Sequence, residues 1–468
     1  MKKIIKRARY VLLICIVIFT LKAQAQQPVL TLKDALQTAL RNQELLKAKD
    51  NYAHASAEAI TTAKREGLPD LTLSAQQAYG TLSGLNGLTS GLPGLTSTTS
   101  GPVTSSQNWN ATFAALYATN INWNIFSFGL QRAHVAEANG QYKQDLTDLE
   151  QEKFQQQVKV AGAYLSLLAS QRLRISMEHN VQQATQLRQV IINRTSNGLN
   201  AGVDSSIANA ELSRARITLL DAQNYERLQS STLAMQIGVV QQSFILDTFY
   251  VNHLPARLPV QPIDNIKDNP TLLFLASRVK TSELTADYLA KTRLPKFSLF
   301  SVYQERGSGF GTSYGSNLND FNPNYFSGIT PIRSNYLIGI GVSWNLSELS
   351  RVKSRLRSQH YLSAGLNNEY LLEENNLYDQ LTQGNAQLEI ALQKFKEAPI
   401  QLQSATDAYR QKKELYANGL TSIVDVTLAL YNLNVAETDM DIASNAVWQS
   451  LLFIAASNGN LGLFLNQF

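Results

Sequence analysis

Two related octapeptides occur in this chain, Asn197-Gly198-Leu199-Asn200-Ala201-Gly202-Val203-Asp204 and Asn418-Gly419-Leu420-Thr421-Ser422-Ile423-Val424-Asp425. Every position of the second lies 221 residues after its counterpart in the first. The same offset relates further identical residues on both sides: Trp123 and Trp344, Leu212 and Leu433, Ala215 and Ala436, Ala222 and Ala443, Gly238 and Gly459. A gap-free register of this extent indicates two copies of one supersecondary unit.

An Asn-Gly step between two long periodic segments predicts the end of a helix followed by a sharp turn. Glycine adopts the left-handed conformation at a helix C-cap without steric cost. We therefore predict one helical hairpin in each copy, with its tip at Gly198 in the first copy and at Gly419 in the second.

The N-terminal segment has the pattern of a secretory signal peptide. Basic residues precede an apolar run at 10–21, and Ala23-Gln24-Ala25 supplies the small residues of a cleavage site. Its removal takes away Cys15, the only cysteine, and six of the 41 basic residues, which leaves 35 basic against 36 acidic side chains. The mature chain is then expected to lack disulfides and thiol nucleophiles, and its charge gives no reason to expect nucleic acid as a partner.

The repeat and the signal segment divide the chain into five predicted regions. They are a signal peptide at 1–25, a first structural repeat at 26–240, a linker at 241–265, a second structural repeat at 266–460 and a C-terminal tail at 461–468. Each repeat is expected to contain a helix, two strands, a long helix and a return helix.

An uncharged stretch of sequence indicates that part of the chain is in contact with membrane lipid. Residues 71–131 contain no Asp, Glu, Lys, Arg or His, although 16% of the whole chain is charged. Apolar and polar residues alternate along 111–125 and again along 336–346, as in barrel strands with lipid on one face and water on the other. Trp123 and Trp344 fall at equivalent strand ends, where indole rings favour the membrane interface. A soluble β-sandwich is the alternative, but it would leave the uncharged stretch unexplained.

Each of these strands is predicted to pair with a preceding strand, and a loop is predicted between the two. The partners begin at Leu71 in the first repeat and run from Phe297 to Gln304 in the second, and the loops lie at 81–106 and 307–334. Four strands cannot close a barrel, because closure needs about eight or more. Copies of the chain are therefore expected to assemble.

Helical periodicity covers most of the remaining residues. The predicted helices lie at 31–66, 130–196, 204–239, 269–293, 348–417 and 425–458. The two longest would each extend roughly 100 Å, and the return helices about half as far. We therefore expect each long helix to pack beside two short helices placed end to end, and we predict an α+β membrane protein.

No constellation of residues indicates catalysis. The five histidines are scattered without metal-ligand spacing, and the chain has neither a phosphate-binding loop nor a nucleophile motif. We therefore predict no enzymatic activity, no metal site and no cofactor.

The signal peptide, the duplicated helix-strand-strand-helix halves and the tip from Tyr416 to Val426 together resemble the TolC-like outer-membrane efflux proteins. The resemblance implies a homotrimer in which every chain gives four strands to one twelve-stranded barrel in the lipid of the outer membrane. A long coiled-coil α-helical barrel would continue from it through the periplasm. A periplasmic adaptor would dock on its end, and an inner-membrane pump would deliver substrate to this passive exit duct. The alternative function is a membrane-anchored structural coiled-coil protein without transport activity.

The resemblance also implies where the adaptor binds. The family's contact motif, which begins with valine, falls on Asn197, Gly198 and Leu199 in the first repeat and on Asn418, Gly419 and Leu420 in the second. Both first positions depart from valine, so a divergent adaptor is expected.

The periplasmic gate of the family falls next to the second tip, on Tyr416 and Asp425, with Asp204 at the position equivalent to Asp425 in the first repeat. Thr421 stands where the family has an arginine of the closing network, and Leu428 where it has a second aspartate. From the residues alone, Asp204 and Asp425 could also cap the helices that follow the turns.

Overall fold

The computed structural model describes residues 29–84, 103–104, 106–198, 201–255 and 266–467. The predicted signal peptide and most of the predicted loop at 81–106 lie outside the described residues. The first half contains α1 (Leu32–Asn42), α2 (Glu44–Arg65), β1 (Asp70–Thr81), β2 (Ala111–Phe126), α3 (Leu130–Ser196), α4 (Gly202–Ile237) and α5 (Phe249–Asn252). The second half contains α6 (Pro270–Thr292), β3 (Lys296–Ser308), α7 (Tyr325–Ile329), β4 (Arg333–Ser343), α8 (Glu348–Ala417), α9 (Ile423–Ser457) and α10 (Gly462–Leu465).

The helix boundaries agree closely with the periodicity, with one exception. The two long helices, α3 and α8, cover the predicted ranges. The prediction of a single helix over 31–66 is wrong, because Gln43 adopts an extended conformation and separates α1 from α2. Beside this break, Asn42 lies against the C-terminal end of α4, where a Cβ on Gly238 would be 3.0 Å from the Asn42 Cβ. Tertiary packing thus ends α1 at a point that the apolar spacing does not mark.

Among the described residues, no helix combines the length and the apolar character needed to cross a membrane.

The chain forms two compact units, and each takes segments from both repeats. The helical unit takes the described residues within 1–53, 144–277 and 366–468, and the sheet unit takes those within 54–143 and 278–365. The predicted tips belong to the helical unit, whereas Trp123 and Trp344 belong to the sheet unit.

The sheet unit holds one antiparallel sheet in the order β1-β2-β3-β4. Strands β2 and β3 join the two repeats, with Trp123 opposite Leu299. The strand predicted at 336–346 extends too far, because β4 ends at Ser343, one residue before Trp344. Within the described residues, neither β1 nor β4 pairs with a further strand on its outer edge.

Alternation along the strands gives this sheet an apolar face and a polar face. Leu71 lies opposite Ile121 on the apolar face, and Thr72 lies opposite Asn120 on the polar face. Exposed side chains on the apolar face are Leu71, Leu73, Tyr79, Ile121, Trp123, Tyr303, Tyr336, Ile338, Ile340 and Val342. An exposed apolar patch of this kind marks an interaction with lipid or protein.

The segment between β3 and β4 packs against the sheet. The prediction of a polar loop at 307–334 did not include this packing. The Tyr325 hydroxyl of α7 donates to Gln77 Oε1 over 2.8 Å, and its ring centroid lies 5.0 Å from that of Phe113. Tyr314 is buried, and its hydroxyl donates to Asn108 Oδ1 over 2.6 Å. Aromatic side chains thus fix this segment on the strands.

A large apolar core lies in the helical unit, around Tyr164 and Trp448. The Tyr164 hydroxyl donates to the Leu30 carbonyl over 2.9 Å, and the Trp448 indole N–H donates to the His253 carbonyl over 3.0 Å. Residues 241–255, the described part of the predicted linker, contribute Leu246 and Tyr250 to this core. The polar edges of these buried rings thus hold Leu30, near the start of the described residues, and His253, in the segment that connects the two repeats.

A polar seam separates the apolar clusters where α3 meets α9. The Ser176 hydroxyl donates to Asp441 Oδ2 over 3.1 Å. Buried polar atoms of the seam that have no hydrogen-bond partner among the described residues are Arg172 Nε, Asn180 Oδ1, Gln183 Oε1, Asn434 Oδ1 and Glu437 Oε2. Burial raises the pKa of Glu437 and of Asp441 above their ordinary values, although His179 beside the former and Arg172 beside the latter oppose the shift.

The seam predicts a pH dependence of stability. A carboxyl group whose pKa is raised by folding stabilises the folded state when protonated, so its contribution is lost as pH rises through the folded pKa. We expect Glu437→Gln to raise the melting temperature more at pH 8 than at pH 4, because the substitution removes a buried carboxyl whose ionised form is disfavoured by burial. Scanning calorimetry at both pH values measures this. Glu389→Gln, at an exposed position of α8, is the control, and an equal shift in the two variants would contradict the prediction.

Candidate functional site

Both predicted tips are tight turns that end a long helix. Gly198 follows α3 with a φ of 72°, and Gly419 follows α8 with a φ of 75°. A Cβ on Gly198 would meet nothing within 4 Å, and a Cβ on Gly419 would meet only an Arg194 nitrogen at 3.9 Å. The left-handed backbone conformation is therefore the reason for glycine at both turns. Steric crowding is not the reason, because a side chain would have room at either position.

The residues predicted to contact an adaptor lie at the exposed ends of the hairpins. Asn197 and Asn418 are exposed, and 73% of the Leu420 surface is accessible. The Asn418 side-chain amide donates to the Glu414 carbonyl over 2.9 Å, as a second donor beside the Asn418 backbone N–H at 3.2 Å. Leu199 lies outside the described residues.

Asp425 caps the helix that leaves the second tip, as one of the two interpretations of this residue predicts. Ser422 is the N-cap of α9, and its hydroxyl accepts from the Asp425 backbone N–H over 3.2 Å. Asp425 Oδ2 accepts from the Ser422 N–H over 3.3 Å, which completes a capping box. The Thr421 hydroxyl also donates to this oxygen, over 2.7 Å. Hydrogen bonds from Thr421 and then Ser422 hold the pKa of Asp425 below its usual range, so the carboxylate is ionised at neutral pH.

Asp204 has a different environment from its counterpart in the second repeat. The N-cap of α4 is Ala201, which offers no capping side chain. Asp204 Oδ2 accepts from the Tyr416 hydroxyl over 3.2 Å, so two predicted gate residues from different repeats are in contact. Burial, followed by the neighbouring Asp204 charge, raises the pKa of Tyr416 to about 12 and keeps its hydroxyl a donor.

Arg194 is a residue of this site that the sequence analysis did not select. Its Nη1 donates to the Ala417 carbonyl over 2.5 Å, and its Cζ lies 5.6 Å from the centroid of the Tyr416 ring. The only local signal was a basic residue in the last turn of α3, which is favourable at any helix C-terminus. The partner of Arg194 is more than 200 residues away in the sequence, so periodicity could not identify it.

An apolar cluster holds together the helices that carry the site residues. Ile191 of α3, Tyr416 of α8 and Val426 of α9 are buried in one cluster that joins the helices of both hairpins. Because Tyr416 is only 3% exposed, its ring packs in this cluster while its hydroxyl reaches Asp204. The two tips are therefore positioned by a common core.

The two predicted membrane-interface aromatics have equivalent surroundings in the sheet unit. The Trp123 indole N–H donates to the Gly67 carbonyl over 2.9 Å, and the Trp344 indole N–H donates to the Arg293 carbonyl over 3.0 Å. Both carbonyls lie just beyond the end of the helix that precedes each strand pair. Both indoles remain partly exposed, at 37% and 55%, and are thus held in place at the surface.

The site combines exposed glycine turns with the ionised carboxylate of Asp425 beside the second tip. Its exposed turns can bind another protein, and its ionised Asp425 can attract cations. The bond between Tyr416 and Asp204 and the contacts of Arg194 join the two hairpins of one chain.

Comparison with known proteins agrees with this architecture. Residues 35–239 match the profile of a family described as outer membrane efflux protein. This range lies within the predicted first repeat. No curated protein sequence gives a significant match to the chain.

Solved structures resemble nearly the whole chain at low sequence identity. The outer-membrane channel OprN is 17% identical with a TM-score of 0.73, covering 92% of this chain and 90% of its own. CusC, whose structures concern folding and transmembrane channel formation, is 12% identical with a TM-score of 0.76 and covers 93% of both chains. The outer membrane protein VceC of Vibrio cholerae is 15% identical with a TM-score of 0.73, covering 92% of this chain and 96% of its own. The predicted resemblance is confirmed: the chain carries the sequence pattern of the outer membrane efflux proteins over residues 35–239 and the fold of such channels over most of its length.

Proposed function

We propose that this chain is the subunit of an outer-membrane channel that serves as the passive exit duct of a tripartite efflux or secretion system. Three copies would contribute four strands each to one twelve-stranded barrel in the outer membrane. Their long helices would form the wall of a periplasmic tunnel. The match to the outer membrane efflux protein family and the shared fold support this assignment.

The observation that carries the proposal is the four-stranded sheet. Its apolar face is exposed in the single chain, and its outer strands β1 and β4 have no further partner within the described residues. Unpaired backbone groups cannot be left in lipid, so a sheet of this kind must be closed by other copies. Apart from Asp70 at the start of β1, the residues of β1 and β2 are uncharged, which suits the lipid phase.

The helical hairpins supply the proposed docking site for the adaptor. Asn197, Gly198, Asn418, Gly419 and Leu420 lie at exposed turns held by glycine, and Leu199 completes the first motif in sequence. The adaptor would connect these tips to an inner-membrane pump that selects and energises the substrate.

Membrane fractionation and electrophoresis test the assembly. We expect the protein in the outer-membrane fraction, running as a trimer without heating and as a monomer after heating. A folded monomer in detergent with no heat-sensitive trimer would contradict the proposed barrel. A trimer that never conducts, even with its adaptor, would favour a structural coiled-coil protein.

The charge of Asp425 should determine ion selectivity if three copies meet at the narrow end of the tunnel. We expect a cation-selective pore in the wild type and reduced cation selectivity in Asp425→Asn, because the variant loses the charge and retains an oxygen that can accept from Ser422. Reversal potentials in asymmetric KCl, recorded on single channels, measure the change.

Ser422→Ala is the matched control, since it removes the N-cap hydroxyl and leaves the charge. It should destabilise α9 by about 1 kcal/mol and leave the selectivity unchanged. Equal selectivity in wild type and Asp425→Asn would show that Asp425 acts as a helix cap only.

A further inference from the structure

The segment between β3 and β4 covers one end of the apolar face of the sheet. The Tyr325 ring of α7 is in edge-on contact with the Phe113 ring of β2, and the Tyr117 hydroxyl of β2 donates to the Ile329 carbonyl over 3.3 Å. Phe113 and Tyr117 stand an even number of residues before Ile121, so they lie on the same face of the strand. The helix α7 therefore lies on the face assigned to lipid and not on the polar face.

The contact between α7 and the sheet is close. A Cβ on Gly328 of α7 would be 2.3 Å from the Phe113 carbonyl oxygen, and a Cβ on Gly307 of β3 would be 2.7 Å from the Gly328 carbonyl oxygen. Glycine at both positions lets the backbones approach, which a side chain would prevent. Ala115, which pairs with Gly307, is buried. The helix is thus a fixed part of the sheet surface.

The outward side of this segment is apolar and uncharged. Phe326 of α7 is 72% exposed, and Ile332, just before β4, is 57% exposed. Residues 321–332 include no Asp, Glu, Lys, Arg or His. An apolar surface without charge fits the acyl-chain boundary of a membrane better than the phosphate groups of the lipid.

Side-chain hydrogen bonds satisfy the backbone at both ends of α7. Asn324 Oδ1 accepts from the Phe326 N–H over 3.0 Å, and the Thr330 hydroxyl donates to the Phe326 carbonyl over 2.7 Å. Backbone groups that are paired within the segment do not depend on water, so their contact with a membrane costs less free energy.

The position of α7 along the strand agrees with the second aromatic girdle of a membrane barrel. Trp123 lies near the end of β2 that leads into α3, and Phe113 lies ten residues earlier. At about 3.3 Å per residue this separation is roughly 33 Å along the strand. A strand tilt of about 40° reduces it to roughly 25 Å along the barrel axis, which is about the height of the apolar band of outer-membrane barrels. Tyr79, opposite Phe113, adds a further ring at the level of Tyr325.

We propose that α7 is an interfacial anchor, which places Phe326 at the acyl-chain boundary of the outer leaflet, at the end of the barrel opposite to Trp123. This inference rests on the proposed function, because it needs the apolar face of the sheet to be in contact with lipid. The same lipid then covers the outward side of α7, since this helix continues the apolar face. A connection that the sequence predicts to be a polar loop thus contributes to the membrane contact.

Site-directed spin labelling measures the surroundings of Phe326. The predicted mature chain has no cysteine, because Cys15 belongs to the signal peptide, so Phe326→Cys gives a single labelling position. Collisions of the label with oxygen report lipid, and collisions with a neutral nickel chelate report water. We expect the oxygen-to-nickel ratio of Phe326→Cys to be several-fold above that of Ser316→Cys, an exposed position of the same connection. The measurement uses labelled trimers in phosphatidylcholine vesicles.

Two neighbouring positions of β4 calibrate the ratio. Ile338 lies on the apolar face and Leu337 on the polar face, and both are exposed in the single chain. The label of Ile338→Cys should give the ratio of lipid, and the label of Leu337→Cys should give the ratio of water. The heat-sensitive trimer band shows that each labelled variant is assembled.

Two results at Phe326→Cys would overturn the anchor. A ratio equal to that of Ser316→Cys would mean that water covers α7, and a label shielded from both probes would mean that protein covers it. With the ratio of lipid at Ile338→Cys, either result would leave the proposed function intact. A ratio of water at Ile338→Cys would contradict the barrel itself, and the anchor with it.

Discussion

Ile338→Arg should abolish assembly in the outer membrane. Ile338 is exposed on the apolar face of β4, in an edge strand of the sheet. An arginine on the lipid face near the middle of the bilayer costs about 2–4 kcal/mol in a transmembrane barrel. Three copies would repeat this cost in one closed barrel. We expect loss of the heat-sensitive trimer from the outer-membrane fraction, measured by fractionation and semi-native electrophoresis.

Leu337→Arg is the control for this substitution. Leu337 is the preceding residue of β4 and lies opposite Val302, so its side chain points to the other face of the sheet. In the proposed barrel that face is wet, and trimer formation should be retained. Equal loss in the two variants would contradict the assignment of the apolar face to lipid.

Replacing Gly198 and Gly419 together by valine should abolish efflux and leave the trimer in the membrane. Both glycines have positive φ, and a side chain in this conformation costs about 1–2 kcal/mol at each turn. The turns lie in the helical unit, away from the sheet in the sequence, so the barrel should still form. Accumulation of a fluorescent substrate in cells that carry the complete pump measures the loss.

Gly202→Val provides the matched control at the same tip. Gly202 is the first residue of α4, has no positive φ, and a Cβ there would meet nothing within 4 Å. Its variant should retain efflux close to the wild-type level. Wild-type efflux in the Gly198→Val and Gly419→Val double variant would show that the adaptor does not recognise the turn conformation.

Those features of the fold that repeat or alternate in sequence could be predicted. The offset of 221 residues placed the glycine turns, and periodicity placed α3 and α8. Alternation identified β2 and β4, because one face of each strand differs in polarity from the other. These signals are local or duplicated, so a single sequence contains them.

Features that depend on distant contacts were not predicted. The break at Gln43 occurs where Asn42 packs against Gly238, and α7 is held to the sheet by Tyr325. Nothing in the neighbouring sequence indicates either contact.

The candidate site also contains residues that could be predicted from the sequence and one that depends on distant contacts. The resemblance to the efflux proteins implies Tyr416, Asp204 and Asp425 as gate residues, and two of them are hydrogen bonded to each other. Arg194 was missed because its contacts lie in the other repeat. A search for long-range partners of basic residues near each turn would have required the fold.

Planar-bilayer recording on the purified oligomer decides whether the protein is an exit duct. We expect discrete, long-lived, cation-selective conductance steps from the wild-type protein, with an open probability that rises when an adaptor is added. A stable trimer that inserts into the bilayer and produces no conductance steps, with or without adaptor, would contradict the assignment as an exit duct.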